Sequence, residues 1–410
     1  MHRPPRRLLD RLHLVAVALA IFSALPLAAQ RTTFDPSISL GYFYTSNVNI
    51  VGEDGPEDSG YRFGVTFPVR HTTKRSSLAF TYSPYFDRFN DFGELDNTGH
   101  RASLIFGREV SRRSSLDLSA SYLRVQDQGD PQSEDDGDLL LNRRTQREST
   151  RFDLGFDRQL RNRWRWGFSV GASEWRYDEI EDFEPPEPVA PLEDRKEARG
   201  SITVGRNLSE RSSFGVRYGY RFFDLEVSGE RQVHSASLVW QREVADRLSL
   251  SASLGGFWSS GDEFDRGEAG SDTQSGIQGS LNLSRTYRRV ILGISASHQP
   301  SAGGSRPGTA TNSRVQLSLS GATEGPWNWG LYARWARRDP IAGAEPTVEG
   351  WSLGPRVSVR FGLAQIVGIG FTATYNTQSG GPQTDEADYF RVAANLSIFP
   401  LARTRLGGGR

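Results

Sequence analysis

Residues 211–240, RSSFGVRYGYRFFDLEVSGERQVHSASLVW, contain two segments in which apolar and polar residues alternate. In the first segment, apolar side chains occupy every second position from Phe214 to Phe222, with Gly and Arg between them. The second segment repeats this alternation from His234 to Trp240. Successive side chains of a β-strand point to opposite faces, so a period of two predicts a strand with one apolar face. The stretch therefore predicts two neighbouring strands of a hairpin.

The same alternation recurs along the whole chain, and we count about eighteen such strands. An even number of strands is typical of single-chain outer-membrane barrels. The sequence therefore predicts an all-β fold, a closed antiparallel transmembrane β-barrel of about 18 strands, with short periplasmic turns and long external loops. The predicted strands centre on residues 38–44, 61–69, 78–82, 102–106, 116–122, 152–156, 164–172, 202–204, 214–222, 234–240, 248–258, 277–283, 290–296, 315–319, 327–335, 351–361, 367–375 and 390–398.

The connections between these strands alternate in length. Short turns such as 207–210 and 243–246 alternate with long segments such as 127–145, 178–195 and 261–273. Alternation of this kind is expected when the turns lie at the periplasmic rim and the loops at the external rim. It also places both ends of the barrel chain in the periplasm.

The apolar face carries no charged residue between the two ends of each predicted strand. An Arg or Lys at mid-depth on a lipid-facing surface costs about 2–4 kcal/mol, so this absence favours a lipid-facing wall. All nine tryptophans lie near predicted strand ends, where indole rings favour the membrane interface. We therefore expect two aromatic girdles. Pro355 falls inside a predicted strand, and we expect a bulge or a local break in the sheet there.

Residues 1–29 have the features of a cleaved secretory signal peptide. A basic leader precedes an apolar core, Leu14–Leu25, and the small residues Ala28-Ala29 suit a cleavage site. The alternative is an uncleaved anchor helix. We expect residues 30–400 to form the barrel and residues 401–410 to form a periplasmic tail, in the outer membrane of a Gram-negative bacterium.

The inward positions of the predicted strands are polar and rich in arginine. A barrel of about eighteen strands is wide enough for an aqueous channel, and a basic wall concentrates anions. One interpretation is a pore for passive diffusion of small polar or anionic solutes. The alternatives are that the arginines pair with inward aspartates as structure, or that the lumen is blocked and the protein is an assembly component of a surface-polysaccharide export system. The predicted lumen-lining residues are Arg62, Arg101, Arg151, Arg165, Arg199, Arg217, Arg221, Arg314, Arg334, Arg356, Arg360 and Arg391.

The composition gives no argument for catalysis or for nucleic-acid binding. The formal net charge is zero and there is no cysteine to act as a nucleophile or zinc ligand. His298 beside Ser297 or Ser301 is the one candidate for a hydrolase pair, and a lone histidine is weak evidence. Acidic runs at 134–138, 179–187 and 262–268 suit either divalent cations or plain solvation. We therefore predict no enzyme, no cofactor and no resident metal.

The opening resembles a family of bacterial outer-membrane β-barrel porins associated with exopolysaccharide or capsule gene clusters. The resemblance lies in YFYTSNVN (42–49), YRFGVTFPVR (61–70), RSSLAFTYSPYFDRFND (75–91) and RASLIFGREVSRRSSLDLSASY (101–122). It implies a passive barrel, with polysaccharide as a further solute. Expected partners are outer-membrane lipid, lipopolysaccharide and the barrel-assembly machinery. Barrels usually end on an aromatic residue, whereas here Leu396–Phe399 is followed by Pro400 and the tail.

Overall fold

The computed structural model describes residues 31–48, 55–127, 145–178, 193–226, 228–265, 268–302, 309–323, 325–340, 347–361, 367–381, 384–399 and 404–406. The predicted signal peptide and the acidic runs at 134–138 and 179–187 lie outside these ranges. Among the described residues, no helix is long and apolar enough to cross a membrane.

The alternating segments form strands, and the backbone of each barrel strand pairs with a neighbouring strand on either side. The described strands are β1 Arg31–Phe34, β2 Ser37–Thr45, β3 Asp58–Thr72, β4 Ser76–Phe89, β5 Asn97–Ser111, β6 Ser114–Asp127, β7 Thr145–Gln159, β8 Trp164–Asp178, β9 Arg195–Ser209, β10 Ser212–Leu225, β11 Gly229–Ala245, β12 Leu248–Asp265, β13 Glu268–Tyr287, β14 Val290–Ala302, β15 Thr309–Ala322, β16 Trp327–Pro340, β17 Val348–Phe361, β18 Val367–Gly381, β19 Thr384–Ile398 and β20 Thr404–Leu406. Two short 3₁₀ turns, Gly93–Leu95 and Arg161–Arg163, lie in connections.

Strands β2 to β19 form a closed antiparallel barrel of eighteen strands. Each strand pairs with the next, and β19 pairs with β2 from Ile398↔Ile38 to Arg391↔Thr45, which closes the ring. The short strands β1 and β20 pair with each other, and β1 also continues the pairing of β2 along β3. Part of the predicted C-terminal tail therefore forms a strand. The predicted fold class is confirmed.

The two rims of the barrel differ in their connections. We call the rim with the connections after β3, β5, β7, β9, β11, β13, β15 and β17 the turn rim, and the opposite rim the loop rim. The connections of the turn rim are all short, and those after β6 and β8 at the loop rim are long. The predicted long loop at 261–273 is wrong: β12 runs to Asp265 and β13 starts at Glu268. Its acidic residues extend a hairpin.

The outer face of the barrel is apolar and exposed. Ile277 is 67% exposed and Leu254 is 66% exposed, and many other large apolar side chains on the outward parity are more than 40% exposed. An apolar surface this continuous is unusual for a water-soluble monomer. The tryptophans follow the predicted girdles with one exception. Trp175 has the opposite parity, faces the interior and is only 4% exposed.

Pro355 interrupts the sheet as expected, but without a bulge. The pairing of β17 with β18 omits Gly354 and Pro355, while Leu353↔Tyr375 and Arg356↔Thr372 keep one register. On its other side Pro355 pairs in sequence with Leu331. Proline has no amide proton to donate, so the interruption stays local and the register survives.

Candidate functional site: the barrel interior

The strand register places all twelve predicted arginines on the inner face. Each lies on a strand at the parity opposite to the apolar residues of the outer wall, and side chains of adjacent residues point to opposite faces. The register therefore sets the direction of each arginine side chain. The exposure of these side chains differs from one position to another. Five are exposed inside the barrel, whereas Arg334 is only 2% exposed. The exposed five are Arg101, Arg151, Arg217, Arg356 and Arg360.

Arg62 is held against the wall by a carboxylate and an aromatic ring. Its Nε and Nη2 atoms donate to the two oxygens of Asp87, which is fully buried. Its guanidinium carbon also lies 4.4 Å from the centroid of the Tyr85 ring. Arg62 is therefore fixed in place, and the structural interpretation of the inward arginines holds here.

A second ion pair joins strands β7 and β9. Asp153 accepts hydrogen bonds from Arg199 on β9 and from Arg151, two residues away on its own strand, at 2.8 Å. Asp153 thus neutralises part of the positive charge at this level of the wall. Arg217 is different, because its Nε donates to the neutral hydroxyl of Thr203 at 3.2 Å.

Two further inward arginines contact strands that are not their neighbours. Arg221 on β10 donates to the backbone oxygen of Pro300 on β14 at 3.2 Å, and Arg165 on β8 donates to Gln241 on β11 at 3.1 Å. Neighbouring strands lie about 4.8 Å apart, so β10 and β14 are separated by about 19 Å along the wall. The pairing of β14 with β13 ends at His298, so the loop-rim end of β14, which carries Pro300, is released from β13 and approaches Arg221.

Two cavities open in the half of the interior nearest the turn rim. One has a volume of about 570 Å³, and its wall on β10 to β15 is lined by hydroxyl and amide side chains such as Ser213, Ser251 and Asn282. The other has a volume of about 730 Å³ and is lined by Arg289, Arg356 and others. This half of the interior is therefore polar. The first cavity also has charged lining residues of both signs, whereas the charged lining residues of the second are all arginines.

The half nearest the loop rim contains apolar clusters that the sequence analysis did not predict. Phe223, Leu225, Val233 and Phe257 form one cluster, and each is at most 5% exposed. They share the inward parity, so a search for large apolar residues at inward positions would have found them. This part of the interior is packed and is not a simple wet wall.

A second cluster at the loop rim involves the connection between β4 and β5. Leu95 of this connection is fully buried and packs with Phe43, Phe89 and Val48. The carboxylate of Asp58 accepts hydrogen bonds from the backbone N–H groups of residues 91 and 92 at 3.1–3.3 Å. The connection therefore folds inward and narrows this side of the opening.

The candidate hydrolase pair does not form. His298 faces outward and its Nδ1 lies 2.8 Å from the Oγ of Ser313, whereas Ser297 and Ser301 lie on the inward parity. No carboxylate orients this histidine among the contacts of the described residues. Within the same residues, no three metal-ligating side chains gather at one point.

No protein-family model and no curated relative matches the sequence. Solved structures of other bacterial proteins are similar to this chain over most of its length. OpdQ of Pseudomonas aeruginosa is 10% identical, with a TM-score of 0.43 over 92% of this chain and 98% of that chain. OccK2 (OpdF) of Pseudomonas aeruginosa in complex with glucuronate is 13% identical, with a TM-score of 0.43 over 90% and 98%. OccAB4 of Acinetobacter baumannii is 8% identical, with a TM-score of 0.46 over 93% and 100%.

Proposed function

We propose that this protein is an outer-membrane channel for the passive diffusion of small polar or anionic solutes. The observation that carries the proposal is the set of exposed inward arginines in a closed eighteen-stranded barrel. Arginines held at fixed positions in a wall of low dielectric constant raise the local concentration of anions. The exposed apolar outer face supports placement of this barrel in a bilayer, with the turn rim toward the periplasm.

The proposal is tested by ion selectivity. Folded protein in a planar bilayer should give discrete conductance steps, with a reversal potential that favours chloride under a KCl gradient. Replacing Arg217 and Arg356 by Ser should shift the reversal potential toward zero, because both side chains are exposed inside the barrel. The matched control replaces Arg176 and Arg337 by Gln, since both face outward near the loop rim and should leave the selectivity unchanged.

A second function is favoured by the buried apolar clusters at the loop rim. A lumen packed at this level suits an assembly component of a surface-polysaccharide export system better than an open pore. Folded protein that gives no conductance, together with loss of surface polysaccharide when the protein is removed, would favour this function. The link to polysaccharide itself is supported by the resemblance of residues 42–122 alone.

A further inference from the structure

The turn rim carries a concentration of positive charge. Most of its connections contain Lys or Arg, and four of them, at 74–75, 112–113, 161–163 and 288–289, contain two. These side chains lie at the tips of the turns and are exposed. A second set of arginines lies on the strands themselves, where side-chain direction is set by register.

We define the arginine belt as five outward-facing arginines near the turn-rim ends of alternate strands. They lie on β5, β7, β9, β11 and β13, where each of these strands approaches the turn rim, and all five are exposed. None of the five takes part in an ion pair with another residue of the described chain. The members of the belt are Arg108, Arg158, Arg206, Arg242 and Arg285.

The belt lies at the depth of an aromatic girdle. Arg206 pairs in register with Trp164, and Arg158 pairs with Trp166. The guanidinium carbon of Arg206 lies 6.0 Å from the centroid of the Trp164 ring. Indole rings favour the interfacial layer of a bilayer, so the belt lies at the level of lipid headgroups.

Each belt arginine is also followed by an exposed apolar residue two positions later. Three of these residues are bulge positions of the sheet and one follows the end of β7, so the surface between the belt and the turn tips contains exposed apolar side chains. A soluble polyanion or a polar partner would meet the turn tips, not a row of charge on the side of the barrel with exposed apolar residues next to it. These residues are Val110 at 53% exposure, Leu160 at 42%, Leu208 at 57%, Val244 at 48% and Tyr287 at 61%.

We propose that the arginine belt binds the phosphate groups of anionic phospholipids in the leaflet at the turn rim. A guanidinium group matches two phosphate oxygens with parallel N–H bonds, and it is less strongly hydrated than an ammonium group. The belt gives five such groups on one side of the barrel, from β5 to β13. The proposal rests on the bilayer placement in the proposed function, but not on ion conduction.

The test uses tryptophan fluorescence of the full chain in phosphatidylcholine nanodiscs that contain a brominated lipid. Trp164 and Trp166 lie beside the belt, so a brominated lipid bound there quenches them. At equal mole fraction, brominated phosphatidylglycerol should quench at least about twofold more than brominated phosphatidylcholine, and salt should reduce the difference. The belt variant R108Q/R158Q/R206Q/R242Q/R285Q should bring the ratio of the two quenching efficiencies close to one.

The matched control removes five positive charges from the turn tips, in the variant R75Q/R112Q/R113Q/R161Q/R247Q. It should keep the preference for phosphatidylglycerol. The proposal is overturned if the belt variant keeps the preference or if the turn-tip variant loses it. The single variant R206Q covers the case in which the fivefold variant does not fold, and it should lower the preference in part; an unchanged ratio overturns the proposal. Wild-type protein that neither lipid quenches would contradict bilayer placement, whereas equal quenching by both would contradict the belt alone.

Discussion

At the scale of single residues, Asp87 is the inward carboxylate whose removal should cost most. It is fully buried and accepts two hydrogen bonds from Arg62. We expect D87N to lower the free energy of unfolding by about 1–3 kcal/mol. The asparagine offers the two N–H groups of the charged Arg62 guanidinium a single neutral oxygen in place of a carboxylate. Urea unfolding of the barrel in lipid vesicles measures this change.

The control for Asp87 is Asp117, an inward aspartate that is exposed and makes no ion pair within the described residues. D117N should change the free energy of unfolding by less than about 0.5 kcal/mol. The double variant R62Q/D87N should recover part of the loss, since it removes the unpaired charge. Equal losses for D87N and D117N would contradict the role assigned to the Arg62–Asp87 pair.

Asp194, at the loop rim just before β9, should make stability depend on pH. Burial raises the pKa of its carboxyl above the usual value, and the negative charge of Glu226 raises the pKa further. The hydrogen bond from the backbone N–H of Tyr177 lowers the pKa, but by less than burial raises it. The folded chain therefore binds this proton more tightly than the unfolded chain does, and stability falls as pH rises through the pKa of the folded state. D194N keeps the acceptor for Tyr177 and removes the ionisation.

The urea midpoints of wild type and D194N should therefore be close at pH 4. They should separate at pH 7, with the variant more stable. If raising the pH from 4 to 7 instead stabilises wild type relative to D194N, the pKa of Asp194 is lowered in the folded state and the prediction is wrong.

At the scale of strands, several inward aromatic rings lie over a glycine of the neighbouring strand. Tyr332 on β16 covers Gly354 on β17, and its hydroxyl lies 3.0 Å from the Oγ1 of Thr374 on β18. A methyl group at Gly354 would overlap the Tyr332 ring. We expect G354A to lower the free energy of unfolding by about 1–3 kcal/mol, because the ring must move off the wall.

The matched control is Gly155 on β7, an inward glycine whose added Cβ would meet nothing closer than 4.0 Å. G155A should be neutral or slightly stabilising, since alanine restricts the unfolded chain. Urea unfolding compares the two variants. A loss in G155A equal to that in G354A would attribute the effect to the backbone and not to the Tyr332 ring.

At the scale of the whole molecule, the closing seam between β19 and β2 is open to a direct test. Ser39 and Ser397 are paired in register across it, and the chain has no natural cysteine. The variant S39C/S397C should form an intramolecular disulfide in folded protein, because the Cα atoms of antiparallel register partners lie about 4.5–5.5 Å apart, within the range that a disulfide spans. Electrophoresis without reductant detects it as a shift in mobility.

The control for the seam is S39C/S253C, since Ser253 lies on β12 and has no register contact with β2. It should remain reduced under the same conditions. If the folded S39C/S397C variant also stays reduced, the sheet does not close through β2 and β19. The proposed channel and the lipid belt would both then lose their basis.

The sequence by itself determined the number of strands, the face to which each side chain points and the apolar outer wall. These follow from alternation, since a period of two is a local property of the extended backbone and is the same in any sheet. That is why an alternating pattern is enough to divide the strand residues between two faces, although the segment 248–287 was assigned strands that are too short. The apolar residues between Trp258 and Ile277 are few, so the alternation is lost there while the backbone pairing continues.

The tertiary structure alone decided which inward side chains meet. The contact of Arg221 with Pro300, four strands away, depends on where β14 separates from β13, and the burial of Phe223 and Phe257 depends on what packs across the interior. Neither the separation of two strands nor a contact across the barrel interior produces a repeating pattern in the sequence, because both depend on residues that are distant in sequence. The sequence thus determined the face to which a side chain points, and the closed sheet determined which other side chains it contacts.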